Sequence, residues 1–179
     1  MSARALSASL VSIALLAGCG AASRDAVGPK DGSAALERLA DGCRGGDVTA
    51  CTAGCDGGDL NACNEAGHMY ELGINVSRDG VGAGAFYRKA CDGGDMAGCF
   101  NAGYLLEHGI SGRRDTRCAL AMYQHSCDGG YVRGCLTAGY MYKNGVEVPI
   151  DPESAARAFK KACDHGNVSG CAQLKSLAQ

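Results

Sequence analysis

Twelve cysteines in 179 residues are the side chains with the most chemistry to offer. Ten of them form five pairs with one spacing, eight residues apart: Cys43 and Cys51, Cys55 and Cys63, Cys91 and Cys99, Cys127 and Cys135, Cys163 and Cys171. In an αα-hairpin this spacing joins the end of one helix to the start of the next, just beyond the turn, so the pairs read as disulfide staples. Closing nine residues removes about 2.5 kcal/mol of unfolded-chain freedom per staple in the loop-entropy model. Five staples are then a large share of a domain stability of roughly 5–15 kcal/mol. Zinc sites set two cysteines two to four residues apart. Cys51 and Cys55 approach that spacing, but each has its partner at the common one, so no metal and no other cofactor is expected. Cys118 stands outside the pattern, either a free thiol near the start of a helix or a site of intermolecular bonding.

The twelfth cysteine, Cys19, belongs to a different reading. Arg4 is the only charge before an apolar run from Leu6 to Ala17, which ends in Leu16-Ala17-Gly18-Cys19. The run is too short to cross a hydrocarbon core, which takes about 20 apolar residues, and it fits the h-region of a cleaved export signal. The final four residues resemble the lipobox of bacterial lipoproteins, which implies a signal peptide over 1–18 and Cys19 as the lipidated mature N-terminus. The plainer alternative is an ordinary secretory signal with Cys19 left over. Gly20 after Cys19 gives no signal for retention in the inner membrane, which points to the outer membrane. Residues 19–33 carry Gly, Ala, Ser, Pro and mixed charge without apolar periodicity, a flexible tether. Loss of Arg4 leaves 16 basic against 19 acidic residues, and no basic block argues for nucleic acid.

The elements that position the ten paired cysteines follow from an internal repeat. Cys55-Asp56-Gly57-Gly58, Cys91-Asp92-Gly93-Gly94, Cys127-Asp128-Gly129-Gly130 and Cys163-Asp164-His165-Gly166 recur at a period of 36. In the same register stand Asp79, Asp115 and Asp151; Tyr87, Tyr123 and Phe159; Gly67, Gly103 and Gly139; and Gly73, Gly109 and Gly145. Each unit reads as two helices. The three aspartates are N-caps of a helix A, which runs to the first cysteine. Gly93 and Gly129 are expected to end it in the left-handed conformation. Asp95 and Asn167 cap helix B, which carries the second cysteine in its first turn and ends near Gly73, Gly109 or Gly145. Gly67, Gly103 and Gly139 fall inside helix B, where glycine costs about 1 kcal/mol relative to alanine; a cost repeated at one phase marks a close helix–helix approach. Tyr131 stands where the other units have Asp or Asn. Cys43 and Cys51 come only 12 residues before the next pair, so residues 34–57 read as a truncated N-terminal cap of short helices, followed by full repeats over 58–179.

A stretch such as Tyr87-Arg88-Lys89-Ala90-Cys91-Asp92-Gly93-Gly94-Asp95-Met96-Ala97-Gly98-Cys99 resembles Sel1-like repeats, relatives of the tetratricopeptide repeat. The disulfide-bearing form is similar to the Helicobacter cysteine-rich protein family, over residues 34–179. That resemblance implies an all-α, right-handed α/α superhelical solenoid with helix A on the concave side, and a role as an adaptor or ligand-binding surface. It also implies penicillin binding with weak β-lactamase activity, as described for members of that family. The residues do not supply a site for that reaction. No serine has a lysine three residues later and no Lys-Thr-Gly element occurs. The four histidines, His68, His108, His125 and His165, occupy four different phases of the repeat and make a poor metal-ligand set. Tyr70, Tyr87, Tyr104, Tyr123, Tyr140 and Tyr142 fall at repeat phases and read as packing.

The polar residues of the A helices remain: Arg88, Lys89, Gln124, His125, Lys160 and Lys161, beside the recurring aromatics. They are candidates to receive an acidic or extended peptide, or the carboxylate of a cell-wall fragment. The expected role is therefore a binding module in the bacterial cell envelope, facing the periplasm or exterior, for a protein, peptide or peptidoglycan-derived ligand. A hydrolase and a structural spacer are the alternatives.

Overall fold

The computed structural model describes residues 33–178, which hold nine α-helices and no strand. The expected signal peptide, Cys19 and the tether up to residue 32 lie outside the described residues. The helices are α1 (Ser33–Arg44), α2 (Val48–Asp56), α3 (Leu60–Leu72), α4 (Gly80–Asp92), α5 (Met96–His108), α6 (Thr116–Asp128), α7 (Val132–Asn144), α8 (Pro152–Asp164) and α9 (Val168–Leu177). They fall into two compact units, α1–α5 and α6–α9. Within each, successive helices pack side by side, and α1 touches α3, α3 touches α5, and α6 touches α8. The architecture is the α/α solenoid of disulfide-stapled helix pairs that the 36-residue period requires.

Local chemistry sets the helix boundaries. Asp79 accepts from the amides of Val81 and Gly82, Asp115 from Cys118, and Asp151 from Ser154. Asp47, Asp59, Asp95 and Asn167 cap the helices that follow them. Tyr131 makes no side-chain cap on α7. The glycine expected to be left-handed is displaced by one position. Gly93 (φ −78°) and Gly129 (φ −79°) are right-handed, and Gly94 (φ 101°) and Gly130 (φ 90°) turn the chain. The physical reason is a Schellman end: Asp95 N–H donates to Ala90 O and Gly94 N–H to Cys91 O, both at 2.9 Å, which puts the left-handed residue second after the helix. His165 can therefore replace the first glycine of the last turn, at φ −85°, while Gly166 keeps φ 79°.

The staples are Cys43–Cys51, Cys55–Cys63, Cys91–Cys99, Cys127–Cys135 and Cys163–Cys171, with Cα–Cα distances from 4.4 to 4.6 Å. α2 carries Cys51 near its start and Cys55 near its end, so it is the second helix of one stapled pair and the first of the next. The core repeats with the sequence. Ala83, Ala119 and Ala155 are 0% exposed, as are Ala90, Ser126 and Ala162, while Tyr87, Tyr123 and Phe159 are at most 1% exposed. Two glycines inside the B helices, Gly67 and Gly139, seat two of these rings. A Cβ on Gly67 would lie 2.7 Å from Tyr87 Cδ1, and one on Gly139 would lie 2.6 Å from Phe159 Cε1.

Candidate interaction surface

The six polar candidates are divided between the units. Arg88 and Lys89 lie in the last turns of α4; Gln124 and His125 occupy the same register on α6, and Lys160 and Lys161 on α8. Every A helix and α2 ends on an aspartate: Asp56, Asp92, Asp128 and Asp164. A carboxylate there faces the negative end of the helix dipole and calls for a cation nearby. Lys89 Nζ lies 2.8 Å from Asp56, and Lys161 Nζ lies 2.6 Å from Asp128. Both bonds run from one repeat to the last turn of the preceding first helix, 33 residues earlier. Lys160 Nζ reaches both oxygens of Asp164 in its own helix, at 2.9 and 2.8 Å. Gln124 Nε2 donates to the Tyr142 hydroxyl. Arg88 and His125 are half-buried.

Four of the six candidates thus hold contacts that tie helix to helix or close a helix end. Their partners Asp56, Asp128, Asp164 and Tyr142 were not singled out from the sequence. The usable signal was the offset of 33: the cation sits three residues short of one full repeat after its carboxylate, one helical turn back along the next helix.

Two tyrosines have raised pKa values. Burial is the main cause for Tyr87, reinforced by its hydrogen bond to Glu71 Oε2 at 2.7 Å and by that carboxylate's charge. Burial also leads for Tyr142, followed by the negative charge of Asp151. Asp151 is held low by hydrogen bonds from the hydroxyl and amide of Ser154. These groups are helix caps and packing partners. Tyr70 stacks on Phe86 at 5.3 Å and Tyr140 meets Phe159 edge-on at 5.2 Å, whereas Tyr104 and Tyr140 keep 39% and 38% of their surface exposed. His68, His108 and His165 are exposed. His108 Nδ1–H donates to the Tyr104 carbonyl at 2.9 Å, and its ring lies against the Tyr104 ring at 4.2 Å.

Cys118 corrects one expectation. It sits in the first turn of α6, its amide donating to Asp115 at 2.9 Å, and its sulfur is not a free thiol. No free cysteine is present among the described residues, so the free-thiol reading fails. The staple sulfurs are likewise committed to one another, which removes the Cys51–Cys55 thiolate pair a zinc ion would need.

The part of the A-helix face that the architecture does not account for is found by comparing units. Positions beneath the surface keep their chemistry: alanine at 83, 119 and 155, an aromatic ring at 87, 123 and 159. The outer positions do not. Val81, Arg117 and Glu153 share one register and are all exposed; Ala85 and Arg157 are exposed in the next, where Ala121 is buried; Arg88 and Gln124 are half-buried and Lys160 exposed in the third.

Comparison with known proteins places this geometry. No curated protein matches the chain. Among solved structures, a protective antigen of uropathogenic Escherichia coli strains displaying an SLR fold aligns with TM-score 0.67 at 24% identity, covering 79% of this chain and 32% of that one. A Sel1 repeat protein from Oxalobacter formigenes aligns with TM-score 0.65 at 23% identity, covering 78% and 58%. Helicobacter pylori cysteine rich protein B aligns with TM-score 0.55 at 23% identity, covering 78% of this chain and 97% of that one. The chain therefore spans about a third of the first structure and just over half of the second. These likenesses establish the fold. Five structural disulfides also mark a chain that folds in an oxidising, extracytoplasmic compartment. No helix among the described residues is long and apolar enough to cross a membrane. Repeat scaffolds of this kind act as protein–protein interaction modules. The Sel1 repeat model matches residues 60–95, 97–131 and 134–167, more than half of the chain, and the chain belongs to the Sel1 repeat family.

Proposed function

We propose that this protein is an exported lipoprotein, anchored through Cys19 to the outer membrane, whose A-helix faces hold a protein or extended peptide of the cell envelope. The observation that supports it is the contrast between layers of the A helices. Buried positions repeat nearly unchanged, while the exposed register 81/117/153 runs from Val to Arg to Glu, and the exposed Ala85, Arg157 and Lys160 differ likewise in size and charge. A surface with only an architectural role needs no such variety. The contacts proposed for a carboxylate-bearing or extended ligand are Arg88 on α4 of one unit and, on α6 and α8 of the other, Gln124, Arg117 and Arg157. Lys89 and Lys161 each tie their helix to the preceding first helix, and Lys160 closes the end of α8.

The test is photo-crosslinking in intact cells from residues 117, 153 and 157, with residue 65 on α3 as control. A partner crosslinked from the three A-helix positions and absent from the control is the expected result. Equal labelling from all four sites, or none, overturns the reading and leaves a structural spacer. Calorimetry with muropeptides separates a peptidoglycan-derived ligand from a protein one. Nitrocefin turnover abolished by one A-helix substitution would replace the scaffold with a hydrolase. The anchor has its own readout: Cys19→Ser should move the protein from the membrane to the soluble envelope fraction.

A further inference from the structure

The three segments that lead from a B helix to the next A helix share one length and one register, but they are not held alike. In the first, over residues 73–79, Val76 packs on the core cluster of Cys43, Cys51, Ala62, Ala66 and Met69. Asn75 Nδ2 donates to the Gly46 carbonyl at 3.0 Å, Arg78 Nε to the Glu71 carbonyl at 2.9 Å, and the Asp79 amide to the Tyr70 carbonyl at 2.8 Å. In the third, over 145–151, a half-buried Val148 fills the register of Val76, and no basic residue occurs. The second, over 109–115, has Gly112 at that register. Its start is seated: Ile110 packs on the cluster of Ala83, Tyr87, Ala102 and Leu105, and a Cβ on Gly84 would lie 3.0 Å from Ser111 Cβ. From Gly112 onward the chain leaves the core. Nothing lies within 4 Å of the place a Gly112 Cβ would take, and Gly112, Arg113, Arg114 and Asp115 are all exposed. Gly112 stands at φ 115°, and Asp115 is already extended, at φ −143° and ψ 91°. The compact unit of α1–α5 ends at Arg114.

We infer that the Arg113–Arg114 peptide bond is a cleavage site for a serine protease specific for basic residues. Such an enzyme takes its substrate as an extended strand, with the arginine before the scissile bond paired to a carboxylate in its pocket. A segment without core anchors reaches that form at the least cost, and exposed loop tips of small and polar residues are where nicking concentrates. Gly112 eases the change further, because glycine passes from positive to negative φ without the Cβ penalty another residue would meet. Arg78 offers the same side chain, but Val76, Asn75 and the Asp79 amide hold its segment in place. In the reaction the enzyme's serine oxygen adds to the Arg113 carbonyl carbon. The amide bond breaks, and the departing Arg114 nitrogen takes a proton from the enzyme's histidine. Water then hydrolyses the acyl-enzyme and releases Arg113 as a carboxylate, so one water is consumed per bond. The cut falls between staples: Cys43–Cys51, Cys55–Cys63 and Cys91–Cys99 lie before it, Cys127–Cys135 and Cys163–Cys171 after it.

The experiment exposes the folded, oxidised, full-length protein to trypsin at a low enzyme ratio, then follows cleavage by mass spectrometry after reduction and by N-terminal sequencing. The first new terminus should be Arg114, appearing at least about tenfold faster than a cut after Arg78. A first cut after Arg78 or inside a helix, or no cut before the fold is denatured, overturns the inference. Arg113→Gln should remove the fast cut at this bond and keep the unfolding midpoint. Val76→Gly moves the weakness to the first segment: cleavage after Arg78 should accelerate in the folded variant. An unchanged rate there would refute core anchoring as the source of selectivity. In the envelope fraction of producing cells, a C-terminal piece beginning at Arg114 should be recovered, and R113Q should lack it. Recovery of the uncut chain alone overturns the assignment of this bond as a cleavage site in the cell.

Discussion

A glycine in a helix interior costs about 1 kcal/mol relative to alanine, so Gly67→Ala and Gly139→Ala would stabilise two isolated helices. In this molecule the added methyl would meet the ring of Tyr87 at 2.7 Å or of Phe159 at 2.6 Å, and both rings are almost wholly buried. Overpacking against a ring that cannot move costs about 1–3 kcal/mol, so the steric term wins. Both substitutions are expected to be destabilising by up to about 2 kcal/mol net in urea denaturation followed by circular dichroism. The turn glycines make a sharper pair. Gly166→Ala places a methyl at φ 79° and should lose about 1–2 kcal/mol, whereas His165→Gly, at an ordinary φ of −85°, should change stability by less than about 0.5 kcal/mol. Equal effects at the two positions would refute the Schellman assignment of the turn. Tyr131→Asp should add the cap that the other units have and raise stability by about 1 kcal/mol.

At the scale of the elements, the ion pairs and the tyrosines couple helices to one another. Lys89–Asp56 and Lys161–Asp128 are substantially exposed, with lysine side chains 38% and 49% accessible. A double-mutant cycle on either should return only about 0.2–1 kcal/mol, diminishing with added salt. A coupling well above that range would mean the pair does more than close the helix end. Tyr87 is more deeply embedded. Its raised pKa means that the folded state holds the neutral phenol to higher pH than the unfolded chain does. The contribution is complete below the unfolded value near 10 and is lost as pH rises above it, at about 1.4 kcal/mol per pH unit for one group. Stability measured from pH 9 to 11 should therefore fall, and Tyr87→Phe should flatten that slope. The caps were legible residue by residue because Asp79, Asp115 and Asp151 act on amides two or three positions away. The partners of Lys89 and Lys161 were not, because they lie 33 residues back and meet only after the helices stack.

For the whole molecule, the staples and the repeated small core divide the work. The buried A-helix positions are mostly alanine and each helix contributes one large ring, so apolar burial per helix pair is modest. Each disulfide contributes about 2.5 kcal/mol in the loop-entropy model, a comparable amount. Full reduction should unfold the protein at temperatures where the oxidised form is stable, while loss of Cys163–Cys171 alone should lower stability by no more than one staple's worth. Calorimetry with and without reductant checks both. The 36-residue register determined the helix pairs and the cysteine partners without any coordinates, because each is fixed by contacts within one repeat or with its neighbour. The tertiary structure alone decided that the left-handed turn residue is Gly94 rather than Gly93, and that Lys89 and Lys161 serve helix ends. It alone also showed that the staples Cys43–Cys51, Cys55–Cys63, Cys91–Cys99 and Cys127–Cys135 are buried. Those outcomes depend on which side chain lies over which when successive helices stack, and a period read along the chain carries no distance across it.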